Sequence, residues 1–438
     1  MNVGFISLGC SKNLVVTEEI IGLFKDNSFN IVNNAQEAEI IVINTCGFIE
    51  SAKQEAINTI LEMAQLKNKR CKYLIVAGCL VQRYKKELEK AIPEVDLFIS
   101  ISEYKQIWKE IEGLLGIEKE ENLKKTVLDY NNRVITTGKN MAYLKIGEGC
   151  DNNCTYCAIP DIQGPYVSRR IEDILEEAKN LAKQGIKELI VIAQDTTKYG
   201  LDIYGETKLA ELLEELCKIE DIQWIRFLYS YPETITDELI DVVKNNDKIC
   251  NYFDIPIQHI SDKVLKRMNR KSDGASIRKV LSKIRKEIPD VILRTTLIVG
   301  FPGETEEDFK ELYEFVEETK FDKLGVFTYS KEDNTPAAKL KEQIHHATKK
   351  SRHNKIMKLQ EKISKDSLDR KIGNIYNVLI ESKTKGGNYY VGRTYMDVPD
   401  IDGVVYIKNN GQENLINKFV KCKIERAKEY DLFGEICE

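Results

Sequence analysis

The chain has no apolar run of membrane-spanning length and no basic, apolar leader, since Met1 to Ser11 is short and lacks a basic start. A membrane protein and a secreted protein are both excluded as expectations, and a soluble, cytoplasmic protein is expected. An excess of positive charge is also missing. Lys and Arg total 65 against 70 Asp and Glu, so no global field draws the chain to nucleic acid and any such binding must be local. What is present is cysteine. Eleven cysteines in a reducing compartment are better explained by metal ligation than by disulfides. The 438 residues suffice for two or three domains, each with its own core.

The densest group is Glu148-Gly-Cys150-Asp-Asn-Asn-Cys154-Thr-Tyr-Cys157, with the spacing C-x3-C-x2-C. Three thiols this close in sequence supply three soft ligands to iron or zinc. No fourth Cys or His follows nearby. A structural zinc site normally closes its fourth position with protein, whereas a 4Fe-4S cluster held by three cysteines leaves one iron open.

Upstream, short apolar runs alternate with helical stretches. Val3 to Gly9 ends at Cys10, Glu39 to Thr45 at Cys46, and Tyr73 to Gly78 at Cys79, with a fourth run over Leu97 to Ile101. A polar-capped helix is expected from about Thr17. Continuously apolar strands separated by helices predict a parallel, doubly wound sheet. Its strand ends lie on one edge, where ligands bind. Cys10, Cys46 and Cys79 each stand one step past a strand, so they either share a cluster or are buried core cysteines. Cys71 precedes its strand, belongs at the opposite edge, and reads as an ordinary small residue.

The stretch 118–139 is polar and charged and reads as a linker between an N-terminal domain, 1–117, and a central domain, 140–338. Six strands in the central domain, from Tyr143, Glu188, Trp224, Tyr252, Val291 and Leu324, predict an incomplete (β/α) barrel with its chemistry at the strand C-termini. The cysteine loop follows the first strand. Gln194, Gln258 and His259 stand at later strand ends, Arg294 and Thr296 lie within the fifth strand, and packing or capping is the plainer role for each. A radical route needs no base at His259, and a packing or hydrogen-bonding role is expected there. Cys217 and Cys250 read as structural. A basic helix, 339–371, is either a solvated face or an RNA contact. It leads to short alternating runs over 372–438 that predict a small antiparallel β-barrel. Acids and bases roughly balance in this tail, which suits a basic protein partner better than tRNA. Cys422 and Cys437 have no evident partner pattern.

The C-x3-C-x2-C loop with Tyr156 before its last cysteine resembles the signature of radical S-adenosylmethionine (SAM) enzymes. Ser7-Leu-Gly-Cys10-Ser-Lys-Asn-Leu, Asn44-Thr-Cys46, Gly78-Cys79 and Gly300-Phe-Pro-Gly303 are similar to motifs of the methylthiotransferases. Together with Cys157-Ala-Ile-Pro160, Leu228-Tyr-Ser-Tyr-Pro232 and Arg294-Thr-Thr296 they point to the RimO family, which acts on ribosomal protein uS12. Val16-Thr17 departs from the family's usual Asp-Ser, without chemical penalty. The resemblance implies two 4Fe-4S clusters, one on Cys150, Cys154 and Cys157 and an auxiliary one on Cys10, Cys46 and Cys79. It also implies SAM near Tyr156, Gln194, Arg294 and Thr296, a TRAM-like tail, an external electron donor, a sulfur donor, and transfer of a methylthio group to the β-carbon of a uS12 aspartate. The sister family that methylthiolates a tRNA adenosine and a non-catalytic iron-sulfur, RNA-binding scaffold are the alternatives.

Overall fold

The computed structural model describes residues 1–117, 126–411 and 414–437. Residues 118–125 of the expected linker lie outside the described residues.

In the N-terminal unit β1 (Asn2–Ser7), α1 (Ser11–Asp26), β2 (Asn30–Val32), β3 (Ile40–Thr45), α2 (Glu50–Ala64), β4 (Tyr73–Gly78), α3 (Cys79–Ala91), β5 (Leu97–Ile99) and α4 (Ile107–Leu115) alternate. The strands form one parallel sheet in the order β2-β1-β3-β4-β5. Every residue of β3 is buried, as expected for a central strand covered on both faces. The expected helix start at Thr17 is corrected: α1 begins at Ser11, with Cys10 as its extended N-cap. The polar run Ser11-Lys12-Asn13 forms the first turn of this helix, and Lys12 and Asn13 are buried. Thr17 lies inside the helix and accepts a hydrogen bond from Asn44 Nδ2 at 3.0 Å.

The central unit opens with β6 (Met141–Lys145), a hairpin of β7 (Gly147–Glu148) and β8 (Val167–Ser168) flanking α5 (Ile159–Gln163), and then α6 (Ile171–Lys183) and β9 (Glu188–Ile192). It continues through α7 (Leu201–Tyr204), α8 (Leu209–Cys217), β10 (Trp224–Phe227), α9 (Asp237–Asn245), β11 (Tyr252–Asp254), α10 (Asp262–Arg267) and α11 (Gly274–Glu287). It closes with β12 (Ile292–Val299), α12 (Glu306–Thr319) and β13 (Lys323–Thr328). Its six main strands form two parallel three-stranded sheets, β10-β9-β6 and β11-β12-β13, linked by a single bridge between Ile225 and Ile249. All six expected strands are present, as an open barrel.

The long helix α13 (His346–Asp369) buries Ile356 and Ile363 against the barrel, while Lys355 and Lys358 face solvent. Beyond it β14 (Ile375–Lys383), β15 (Tyr389–Arg393), β16 (Val405–Lys408), β17 (Phe419–Ala427) and β18 (Leu432–Ile436) close a small barrel in the order β14-β15-β16-β18-β17. All pairs are antiparallel except the parallel pair β16-β18. The run that becomes β18 is short and broken by Gly434, and no periodicity marked it.

The tail is not a loosely tethered module. Met141, Ile190 and Trp224 of the open barrel share one apolar core with Leu379, Tyr390 and Val405 of the small barrel. Beneath that core Glu188 accepts from Arg226 Nε at 3.0 Å and from Arg393 Nη2 at 2.7 Å, with all three side chains at most 1 % exposed. Arg393 also reaches Glu381 at 2.7 Å. Burial alone would raise the Glu188 carboxyl, but the two guanidinium groups outweigh it and hold it below the usual carboxylate range. Removing one partner leaves an uncompensated buried charge, so Arg393→Met should cost about 3–5 kcal/mol, read as a lower urea midpoint. An unchanged midpoint would mean that the tail docks through its apolar core alone.

Candidate active site

Because β1, β3 and β4 are adjacent and parallel, their C-terminal ends bring Cys10, Cys46 and Cys79 to one sheet edge. Cys10 caps α1 and Cys79 opens α3, so two of the thiols stand at helix N-termini. The loops approach so closely that a Cβ on Gly9, whose φ is +93°, would lie 2.5 Å from the Cys46 Cβ. Burial, followed by the neighbouring Cys10 and Cys46, pushes the Cys79 thiol up to about 12. Burial also raises Cys46. In the absence of iron these groups stay protonated, and loading a cluster must displace their protons. Cys71, ahead of β4, lies away from this edge in the core beside Leu74 and Val76, its Sγ 3.4 Å from the Tyr73 carbonyl.

The second thiol group occupies the loop entered through the β7-β8 hairpin. Gly149, with φ +69°, passes so near Pro165 that a Cβ there would lie 1.9 Å from its carbonyl oxygen, so only glycine fits. Each sulfur beyond it receives a donor. The Asn152 N–H reaches Cys150 Sγ at 3.4 Å, the Ile159 N–H reaches Cys157 Sγ at 3.5 Å, and Arg270 Nη1 lies 3.9 Å from Cys154 Sγ. Burial pushes Cys157 up to about 12. The three donors offset that penalty once the sulfurs are thiolates, so the loop is built for anionic sulfur. Among the described residues no three Cys, His, Asp or Glu groups converge as a single-ion site requires. A cubane asks for something else, since each thiolate binds a different iron. Three soft donors on one loop, each sulfur met by a hydrogen-bond donor, fit a 4Fe-4S cluster.

A cavity of about 300 Å³ opens from this loop across the strand ends, and Tyr156, Gln194, Arg294 and Thr296 all line it. Tyr156 packs edge-on against Phe301 at 6.5 Å, and Gln194 Nε2 donates to Gln163 Oε1 at 2.8 Å. Arg294 is in register with Asp254 of the next strand and pairs with it at 2.7 Å, so its charge is already matched. Gln258, at φ +69°, also lines the cavity with a buried Oε1 that has no partner among the described residues, an acceptor suited to a bound donor such as SAM carries. His259 is wholly buried, its Nδ1 accepting from the Ser261 N–H at 3.0 Å. Burial drops its pKa to about 3, which keeps it neutral and structural.

The two thiol groups face one seam. Cys79 packs against Ala158 and Ile162, immediately past Cys157. Phe48, two residues beyond Cys46, lines the cavity. Val398 and Ile401 of the small barrel line it as well, so three units of the chain enclose the site.

The sequence matches the Radical SAM superfamily over residues 144–316, the uncharacterized protein family UPF0004 over 2–100 and the TRAM domain over 372–437. It is 83% identical to the ribosomal protein uS12 methylthiotransferase RimO of Alkaliphilus oremlandii, over all of this chain and 99% of that one. Identity to the RimO of Acetivibrio thermocellus is 52%, over 99% of this chain and 98% of that one. The chain belongs to the RimO family. Among solved structures the RimO fold is similar to the radical SAM methyltransferase TsrM of Kitasatospora setae, with a TM-score of 0.58 and 11% identity over 77% of this chain and 76% of that one. It is also similar to the cobalamin-dependent radical enzyme OxsB, with a TM-score of 0.51 and 14% identity over 83% of this chain and 56% of that one.

Sequence reasoning about this RimO chain missed Arg270, Asp254, Phe48, Val398 and Ile401. Asp254 alone carried a signal, as an acid within an apolar run. The others reach the site through tertiary contacts.

Proposed function

We propose that the protein is a radical SAM methylthiotransferase that adds a methylthio group to the β-carbon of an aspartate in ribosomal protein uS12, in the cytoplasm. Membership of the RimO family supports this reading. No helix among the described residues is long and apolar enough to cross a membrane.

Cys150, Cys154 and Cys157 would hold the SAM-cleaving 4Fe-4S cluster, and Cys10, Cys46 and Cys79 an auxiliary one. When bound, the first supplies the radical that takes the substrate hydrogen, and the second carries the sulfur that replaces it. The chain's own groups do the positioning. Arg270, Asn152 and the Ile159 amide hold negative sulfur in place. Tyr156, Gln194, Thr296 and Gln258 form the SAM wall, with Arg294 fixed by Asp254. Phe48, Val398 and Ile401 supply apolar walls that keep water from a reactive carbon. An external reductant and a sulfur donor complete the reaction.

The observation that carries the reading is the packing of Cys79 against Ala158 and Ile162. It sets the sheet-edge group beside the loop that carries the other one, as a reaction that takes hydrogen at one centre and delivers sulfur from another requires. Reconstituted enzyme incubated with SAM, reductant and sulfide should add one methylthio group to uS12 and none to unmodified tRNA, by mass spectrometry. Mass gain on tRNA alone would assign the protein to the sister activity.

A further inference from the structure

Lys12 is 7 % exposed, and among the described residues no carboxylate lies within 4.0 Å of its ammonium group. Its one hydrogen bond is long, 3.4 Å to the carbonyl of Ala193. The ammonium otherwise rests on the Tyr229 ring, 3.4 Å from its centroid. An ammonium has three donors, and leaving two unused in a buried position is costly unless an anion arrives to meet them.

Its place in the fold says where that anion comes from. Lys12 stands two residues past Cys10, in the first turn of α1, and crosses from the N-terminal unit to the C-terminal ends of β9 and β10. Ala193 precedes Gln194, and both Gln194 and Tyr229 line the cavity. Of the other cations around the site, two have a carboxylate partner and Arg270 faces the Cys154 sulfur. Arg294 pairs with Asp254, Lys198 meets Asn152 Oδ1 at 2.5 Å with Asp195 at 4.0 Å, and Arg270 lies over Tyr231 and donates to Pro256 O. Lys12 is left as a buried positive charge at the seam between the two thiol groups.

We propose that Lys12 binds the carboxylate of the substrate's acidic residue and so presents the adjacent carbon to the seam. The inference rests on the proposed function, in which the carbon that loses hydrogen is bonded directly to a carboxylate. An ion pair at that carboxylate restricts side-chain rotation where the reacting C–H must be aimed, and the lysine's apolar surroundings strengthen it. It also gives a physical basis for preferring aspartate over its neutral isostere asparagine, because an amide oxygen can accept one hydrogen bond but brings no charge to match the buried ammonium.

The test uses cluster-loaded, full-length protein and two synthetic peptides of the uS12 loop, one with the acceptor aspartate and one with asparagine in its place. The wild type should bind the aspartate peptide at least about ten-fold more tightly, the equivalent of about 1.4 kcal/mol. Lys12→Met should bind both alike, at the weaker level, and Lys12→Arg should restore part of the preference. Iron per chain, measured on each variant, shows whether both clusters are present. Retention of the aspartate preference by Lys12→Met overturns the proposal. So does a loss of iron confined to the N-terminal group, which would make Lys12 a support for that cluster. Weaker SAM binding with the peptide preference intact would assign the lysine to the SAM carboxylate and overturn it equally. Wild-type protein that neither binds these peptides nor modifies uS12 would remove the proposed function itself, a result visible before any variant is made.

Discussion

Wild-type protein reconstituted anaerobically should carry about eight irons and eight acid-labile sulfides per chain, and the Cys150/Cys154/Cys157→Ala variant about four of each. The halving is expected because the two thiol groups are built independently. One hangs on a loop fixed at Gly149 and Pro165, the other on three sheet-edge positions whose backbone comes from β1, β3 and β4. The alanines should not unfold the loop. The Cys150 N–H still reaches Gly164 O at 3.1 Å, Thr155 N–H still reaches Met268 O at 3.0 Å, and its carbonyl still accepts from Ala337 at 2.9 Å. The variant should form no 5'-deoxyadenosine from SAM under reducing conditions. About four irons in the wild type falling to none in the variant would mean that Cys10, Cys46 and Cys79 hold no cluster, and would reduce the protein to a radical enzyme with one centre.

What the sequence revealed follows from what kind of rule each feature obeys. The N-terminal thiols were legible because parallel strands put their ends on one edge, and three apolar runs each stopped one residue short of a cysteine. Gln194 was legible for the same reason, and Tyr156, Arg294 and Thr296 through the family resemblance; all four line one space. The state of Arg294 was not. Its guanidinium is matched by Asp254, and that pairing depends on a strand register that only the structure fixes. Arg270 stands 116 residues from the thiol it serves, so no local pattern announces it. Val398 and Ile401 enter the site because the small barrel docks on the open face of the large one. The charge balance of the tail hinted at a protein partner but could not show that the tail also walls the cavity. Lys12 was left ahead of a helix expected from about Thr17, because burying an ammonium with no carboxylate beside it contradicts every local expectation, and such contradictions gather where ligands bind.

Cys46→Ala and Cys71→Ala should separate as sharply as two buried-thiol substitutions in one sheet can. Cys46 lies one step past β3, next to Gly9 and within the electrostatic reach of Cys10 and Cys79. Its loss should reduce iron to about four per chain and abolish methylthio transfer. Formation of 5'-deoxyadenosine should continue, since the Cys150, Cys154 and Cys157 loop draws no ligand from that sheet. Cys71 is also buried, and burial raises its thiol in the same way, so the chemical character of the side chain does not distinguish the two positions. Position in the sheet does. Cys71 precedes β4 and packs with Leu74 and Val76 at the far end of the strand, in a core where it is the only cysteine among the described residues, and Cys71→Ala removes only one sulfur from that apolar core. It should keep about eight irons and full transfer. If Cys71→Ala lost the second cluster and Cys46→Ala kept it, the edge that binds iron would be the opposite one, and the seam between the two thiol groups would lose its chemical meaning.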